Sequence, residues 1–195
     1  MKSEEQKNIR AFIAVKLPLE LAAVLHKKAQ HRAGDVIQRK LRWVVPQKQH
    51  ITLRFLGECQ QPTLDQISSY LEGALKQVQA FDSMTGCYEF LPDANRPRVL
   101  ALSMHSGQQL QNLAAICEEG AVRFGLQRER RNFRPHVTLA RFKQYHHVSH
   151  SQFFNMPSFR MTVTEVALMQ SEMTHEGTRY KTLKAYPLQP FAISA

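Results

Sequence analysis

Apolar residues recur along the chain with two different periods, which predict strands and amphipathic helices. Short runs in which apolar residues alternate or cluster, many of them β-branched, favour strands. The strands predicted in this way cover residues 10–15, 50–56, 84–91, 98–104, a segment starting at residue 136, 160–170 and 178–186. Residues 40–46 are predicted to form an irregular or short extended lead-in to the second strand.

Three helices are predicted between these strands, because apolar residues there lie three and four positions apart. The first begins at Pro18 and ends near Gly34, the second opens with the capping-box pattern Thr63-x-x-Gln66, and the third stops at Gly125. Their predicted faces comprise Leu21, Val24, Leu25 and Lys28 in the first helix, Leu64, Ile67, Leu71, Leu75 and Val78 in the second, and Leu110, Leu113, Ala114, Cys117, Ala121 and Phe124 in the third.

One short pattern occurs twice in the predicted strands, as His50-Ile-Thr-Leu and His136-Val-Thr-Leu. A strand turns alternate side chains to the same face, so the His and Thr of each copy point together while the aliphatic residues face the core. A single His-x-Thr is too short to carry much information as a motif. A lone histidine in a strand is also more often a hydrogen-bonded structural residue than a catalytic one. The duplication, with matching aliphatic positions, favours a functional pair instead.

The two copies lie within a longer internal repeat. A strand starting at Arg10 and a helix lead to His50 after 40 residues, and a strand starting at Arg98 and a helix lead to His136 after 38 residues. Because no linker rich in Pro, Gly or Ser separates the repeats, we expect one domain over residues 1–195, with halves of roughly 8–91 and 97–188. The predicted fold class is α+β, with two lobes related by a pseudo-twofold axis. Mainly antiparallel sheets line a central cleft, helices lie outside, and the two motif strands face each other.

The charge of the chain narrows the class of ligand. A net charge of +10 favours a polyanion, most often nucleic acid. A basic surface that serves only solubility explains the net charge equally well. The clustering of arginines around the second motif favours nucleic acid; these residues are Arg123, Arg128, Arg130, Arg131, Arg134 and Arg141.

Cysteine usage and hydropathy favour a cytoplasmic protein. No apolar run is long enough to span a membrane, and the first seven residues lack the apolar core of a signal peptide. Cys59, Cys87 and Cys117 are far apart and form no Cys-x-x-Cys pair, which argues against a disulfide framework or a structural zinc site. We also expect a monomer without an obligate protein partner and without membrane attachment.

A second histidine cluster, His146-His147-x-x-His150, competes with the paired motifs as a candidate site. Imidazole is a common metal ligand, but this cluster has no cysteine or neighbouring carboxylate, and its adjacent pair cannot share one strand face. We interpret it as a solvated polar loop and expect no metal or other cofactor.

The paired His and Thr residues have the chemistry needed to cleave a phosphodiester. An unperturbed imidazole titrates at about pH 6.5, so two of them can serve as general acid and general base near neutral pH. Two hydroxyl groups beside them can donate hydrogen bonds to the non-bridging oxygens of a phosphate. Such a reaction needs no metal, provided that positive and hydrogen-bonding groups offset the charge of the transition state.

These residues resemble those of the 2H phosphoesterases, and within that superfamily the RNA 2′,3′-cyclic phosphodiesterases, also called 2′-5′ RNA ligases. The similarity covers almost the whole chain. It is carried by residues 10–18, 50–58, 97–100 and 133–141, and by Gln170-Ser171 and Tyr180.

The resemblance implies hydrolysis of RNA 2′,3′-cyclic phosphate ends to 2′-phosphomonoesters. It makes His50 the proton donor to the leaving O3′ and His136 the proton acceptor that activates water, while Thr52 and Thr138 hold the phosphate. It also makes Arg141 a phosphate contact. Strict alternation from His136 turns Arg141 to the opposite face, a bulge or the strand end would bring it round, and an arginine covering the sheet edge is equally compatible.

Related functions remain as alternatives at this point. A 2′-5′ RNA ligase or nuclease, or a phosphodiesterase for a small cyclic nucleotide, would use the same groups. In a different class, the chain would be an RNA-binding module without catalysis. The ligand that we expect is RNA or an oligonucleotide with a 2′,3′-cyclic phosphate end.

Overall fold

The structure, a computed structural model, describes residues 8–144, 158–175 and 177–191, with the exception of the Val36 side chain. A 3₁₀ turn over Pro46–Lys48 precedes the third strand. The strands are β1 (Ile9–Lys16), β2 (Leu41–Trp43), β3 (His50–Cys59), β4 (Phe81–Leu91), β5 (Val99–His105), β6 (His136–Phe142), β7 (Arg160–Val163), β8 (Glu165–Thr174) and β9 (Gly177–Pro187). The helices are α1 (Leu19–Gln38), α2 (Gln61–Leu75) and α3 (Gln109–Arg123).

The described strands form one sheet in the order β7-β4-β5-β6-β3-β1-β8-β9, with β2 also paired to β6. Its strand pairs are antiparallel. The order is nearly symmetric about its centre, since β6 matches β3, β5 matches β1, β4 matches β8 and β7 matches β9. The α+β class and the mainly antiparallel, duplicated arrangement are therefore confirmed.

The two halves of the sheet meet at a narrow seam between β3 and β6. Their register contains one residue pair, Ile51 opposite Val137. By contrast, β1 pairs with β3 along the full length of β1, from Ile9 to Lys16. The seam therefore joins two well-paired lobes at the middle of the duplicated motif, and the motif strands are neighbours in one continuous sheet.

One face of the sheet carries the main core and the other carries a smaller cluster. Ile13, Ile51, Leu102 and Val137 are fully buried with the apolar faces of the three helices. On the opposite face a small cluster comprises Phe12, Ala14, Ala167 and Met169, with Tyr180 packed against it. Because His50, Thr52, His136 and Thr138 alternate with the core residues, they lie on the face away from the main core.

The helices agree with the periodicity except at their ends and on one face. Helix α1 continues to Gln38 past a non-helical Gly34, and its buried residues are Ala22, Leu25, Ala29 and Ala33, so the predicted face with exposed Val24 and Lys28 is corrected. The predicted capping box at Thr63 is wrong, because α2 begins at Gln61, Gln60 is its N-cap, and no side chain caps it. The apolar stripes of α2 and α3 are confirmed within the helices, but the predicted positions Val78 and Phe124 lie beyond the helix ends at Leu75 and Arg123.

The strand predicted over 160–170 is two strands in different halves of the sheet. At Thr164 the chain crosses from β7, which pairs with β4, to β8, which pairs with β1. Strand β4 also lies beside β5, although it comes before the second repeat in the sequence. Neighbouring strands of the sheet thus come from both repeats, and the division into halves along the chain stays a prediction.

Both motif strands contain a bulge at the same position. On β3, Thr52 faces Ala14 and Arg54 faces Ile13, so Leu53 is the extra residue. On β6, Thr138 faces Ala101 and Ala140 faces Leu100, so Leu139 is the extra residue. An extra residue reverses the alternation beyond it, so the residue five positions after each histidine shares the histidine's face.

A further bulge in β4 supports the strand beside His136, and we predict that it tolerates only glycine at position 86. A Cβ atom there would overlap the His105 imidazole and the Ser103 hydroxyl. That hydroxyl is held in place by hydrogen bonds to the backbone N–H and C=O of Cys87. Gly86→Ala should lower the free energy of unfolding by about 1–3 kcal/mol in chemical denaturation. Gly73→Ala in α2 is the control: it meets no atom within 4 Å and should raise stability by up to about 1 kcal/mol. A neutral Gly86→Ala would contradict the close packing.

Candidate active site

The seam brings the two His and Thr pairs into one compact group. Since Ile51 lies opposite Val137, the antiparallel register places Thr138 beside His50 and Thr52 beside His136. The two histidines therefore occupy diagonal corners of a four-residue array. Diagonal neighbours in an antiparallel sheet lie about 7–8 Å apart, which leaves room for one phosphate group between the two rings.

Each imidazole is oriented by the backbone just before its strand. The Nδ1 atom of His50 lies 2.8 Å from the carbonyl oxygen of Lys48, and Nδ1 of His136 lies 2.7 Å from that of Arg134. A carbonyl oxygen only accepts, so Nδ1 carries the hydrogen in both rings. The Nε2 atoms are left to exchange a proton with a ligand, which is the arrangement that a paired acid and base need.

The surroundings of His50 are aromatic. Its ring centroid lies 4.9 Å from that of Phe12 and 5.3 Å from that of Tyr180, and these two rings are 5.1 Å apart. Phe12 also packs against Phe55, with 6.2 Å between centroids. The packed rings fix the orientation of the imidazole and shield it from solvent.

This enclosure lowers the pKa of His50 below the ordinary value of 6.5. Burial is the largest cause, because it disfavours the charged form; the charges of His136 and Arg141 act in the same direction, and the hydrogen bond to Lys48 opposes them. In the free protein at neutral pH, His50 is therefore mostly uncharged. An anion bound between the histidines would favour its protonated form.

The bulge in β6 settles which way Arg141 points. Because Leu139 is the extra residue, Arg141 pairs with Val99 and lies on the face of His136 and Thr138, where its charge reaches His50. Of the alternatives that the sequence left open, the structure contains the bulge, and strict alternation does not continue past Leu139. The role of Arg141 as a phosphate contact stays a prediction.

The equivalent position in the first motif is Phe55. It lies on the site face, where it is the cross-strand partner of Phe12 on β1, and it is 62% exposed. No motif in the sequence marks this residue, although counting five positions from each histidine pairs Phe55 with Arg141. One side of the site thus carries an exposed ring where the other side carries a cation.

Two further residues near His136 were also missed. Ser103 lies opposite His136 on β5, and its hydroxyl bridges the backbone of Cys87. Glu89 on β4 forms an exposed ion pair with Arg134, 3.1 Å long. No short motif marks either residue, because both reach the site through strand pairing.

Among the described residues, no group of three or more His, Cys, Asp or Glu side chains is placed to hold a metal ion. His146, His147 and His150 lie outside the described residues. The expectation of chemistry without a metal stays a prediction.

We predict that anion binding raises the pKa of His50. Followed by NMR, the ring should titrate below pH 6.5 in the free protein, and saturating inorganic phosphate should move the midpoint upward because the anion stabilises the imidazolium. Arg141→Gln should also raise the pKa, since it removes one of the charges that lower it. A free-protein midpoint at or above 6.5, or no response to phosphate, would contradict this view of the site.

The chain and its geometry have counterparts among known proteins. The sequence model of the 2′-5′ RNA ligase superfamily matches residues 27–174. The chain is 31% identical over 186 residues to the RNA 2′,3′-cyclic phosphodiesterase of Escherichia coli (strain K12), with 92% of this chain and 96% of that protein covered.

Solved structures show the same fold. The structure of TT0787 of Thermus thermophilus has a TM-score of 0.77 and 26% identity, over 94% of this chain and 100% of that one. The structure of E. coli LigT complexed with 3′-AMP has a TM-score of 0.76 and 28% identity, over 93% and 99%. The family match and the identity over nearly the full length lead to one conclusion: the chain belongs to the 2′-5′ RNA ligase superfamily.

Proposed function

We propose that the protein hydrolyses 2′,3′-cyclic phosphate ends of RNA to 2′-phosphomonoesters without a metal ion. The observation that carries this proposal is the duplicated His and Thr pair on one face of the seam, with both Nδ1 atoms directed to carbonyl oxygens. The names of its relatives and the 3′-AMP complex of LigT support a nucleotide phosphate as the ligand.

Hydrolysis requires one proton to be removed and one to be supplied. Nε2 of His136 accepts a proton from water as the water oxygen bonds to phosphorus, and the bond between phosphorus and O3′ breaks. Nε2–H of His50 donates its proton to the departing O3′, which leaves the phosphate on O2′. The diagonal placement of the rings on either side of the phosphate suits an in-line displacement of this kind.

The other groups act on charge rather than on proton transfer. The hydroxyls of Thr52 and Thr138 donate to the non-bridging oxygens, and the Arg141 guanidinium offsets negative charge that grows in the transition state. The anionic substrate itself keeps His50 protonated, which an acid with a lowered pKa in the free protein requires.

Ligation is the second candidate, since a 5′-hydroxyl in place of water would attack the same phosphorus and give a 2′-5′ linkage. The description of the superfamily names this activity. Analysis of the products formed with and without a 5′-hydroxyl acceptor separates ligation from hydrolysis.

None of the helices in the described ranges has the length and apolar character to cross a membrane.

The basic surface that we assign to RNA is the segment between α3 and β6, residues 124–135, which we call the arginine loop. It carries exposed Arg128, Arg130, Arg131 and Arg134. A cytoplasmic location and a monomeric state remain part of the proposal.

The first test of this function is turnover of an oligonucleotide with a 2′,3′-cyclic phosphate end in the presence of EDTA. Activity should persist, and His50→Ala and His136→Ala should each lower kcat by about 10²–10⁴-fold, with the double variant little worse because the two residues act as a unit. Thr52→Ala should cost less, about 1.5–3 kcal/mol, since it removes one hydrogen bond to a charged group.

His31→Ala, on the exposed surface of α1, is the matched control and should retain full activity. Loss of turnover in EDTA with recovery in a divalent cation would refute the metal-independent mechanism. Full activity of either active-site variant would refute the assignment of the site.

The division of roles between the histidines can be tested with a leaving group that needs no proton. The substrate is a phosphodiester with nitrophenol as its leaving group, because nitrophenolate leaves readily without a proton. With this substrate, His50→Ala should recover much of the wild-type rate, while His136→Ala should not. Release of nitrophenolate is measured by absorbance. Recovery in His136→Ala instead would show that the acid and base are the reverse of those proposed.

A further inference from the structure

A buried ion pair lies directly behind the active site. Arg54 follows the bulge in β3, two residues after Thr52, and its side chain is only 9% exposed. Its Nε lies 2.5 Å from Oε2 of Glu118 on α3, which is itself 17% exposed. The two remaining nitrogens donate to backbone carbonyl oxygens, one to Phe55 at 2.8 Å and the other to Gln127 at 2.5 Å.

The same pair holds the arginine loop at a second point. The other carboxylate oxygen of Glu118, Oε1, accepts the backbone N–H of Glu129 at 2.8 Å. Arg54 and Glu118 together therefore bind the loop on both sides of Arg128, through the carbonyl of Gln127 and the amide of Glu129. The far end of the loop is fixed separately, because the Pro135 carbonyl accepts the Met104 N–H at 2.9 Å.

The position of the loop matters because it runs into the active site. Its next-to-last residue, Arg134, supplies the carbonyl that orients His136. The bulged strand that carries Arg54 also carries Thr52 and Phe55 on the opposite face of the sheet. A loop held in this place keeps its exposed arginines on the segment that leads directly into His136.

Energetics indicate that the pair has a role beyond stability. Taking two charges out of water costs several kcal/mol, and apolar residues of similar volume often stabilise a protein as well or better. An apolar pair at these positions could not bind the carbonyl of Gln127 or the amide of Glu129. What the ion pair provides is a fixed backbone position for the loop.

We propose that Arg54 and Glu118 are positioning residues that hold the arginine loop against the phosphates upstream of the RNA end, and so make the enzyme prefer oligonucleotides to mononucleotides. This inference rests on the proposed function for its substrate class. The terminal phosphate binds between the histidines, and the loop binds the preceding phosphates of the same strand. Removal of the pair releases the loop without removing any group from the site between the histidines.

The test compares binding of two ligands that share a 2′-phosphate end and differ in length. These are a 2′-phosphomononucleotide, measured by calorimetry, and a fluorescently labelled oligonucleotide ending in a 2′-phosphate, measured by anisotropy. For a single strand, each phosphate that the protein neutralises adds about 0.7 to the slope of log Kd against log salt. Each such phosphate therefore makes binding about fivefold tighter at 0.1 M salt than at 1 M salt. Glu118→Gln should weaken oligonucleotide binding by about that factor for every phosphate that the released loop no longer binds. It should also lower the salt slope, while mononucleotide binding stays unchanged.

Two further variants make the comparison specific. In Arg54→Met/Glu118→Leu no charge is left buried alone, so a folded protein is expected, and thermal unfolding checks this. It should show the same selective weakening as Glu118→Gln. Glu72→Gln is the matched control, because it breaks the exposed 2.9 Å pair with Lys184 between α2 and β9 and should leave both affinities unchanged.

Equal weakening of both ligands would show a purely structural role and overturn the inference, as would an unchanged oligonucleotide affinity in the folded double variant. Wild-type protein that binds the oligonucleotide no more tightly than the mononucleotide would overturn it as well. Binding needs no turnover, so a protein that binds selectively but does not hydrolyse the cyclic phosphate would retain the inference and lose the proposed hydrolysis.

Discussion

The contact between Ile51 and Val137 is the interaction on which the rest of the active site depends. Each half of the sheet has extensive pairing of its own, but the halves meet at this residue pair. It lies between the His and the Thr of both motifs. The contact that joins the lobes therefore also sets the spacing of the two imidazoles, and any shift of register at the seam would separate the two histidines.

Much of this arrangement follows from local pattern. Alternation alone placed Ile51 and Val137 in the core and turned the histidines away from it, because side chains alternate strictly in a regular strand. Duplication of the motif, preceded each time by a strand and a helix, predicted the pseudo-twofold relation. The apolar face of α2 was predictable because large aliphatic residues line it, and that of α3 because Leu110, Leu113 and Cys117 recur at helical spacing.

Other features depend on partners that the sequence does not show. Leu53 and Leu139 read as ordinary strand residues, and only the register of the neighbouring strands reveals them as bulges that redirect Phe55 and Arg141. Arg54 and Glu118 are far apart in the chain, so no spacing connects them. In α1 the buried face consists mostly of alanine, which suits exposed and buried helix positions alike and gives little periodic signal.

The residues that the matched bulges turn to the site, Phe55 and Arg141, break the symmetry that the duplication creates. Two identical half-sites would accept a phosphodiester in either direction, and each histidine would then act as acid in some encounters and as base in others. The exposed ring of Phe55 on one side and the guanidinium of Arg141 on the other give the site a polarity. A ligand with one flat, apolar end and one anionic end has a single favourable orientation there, so under the proposed mechanism the fifth residue after each histidine would determine which histidine meets the leaving group.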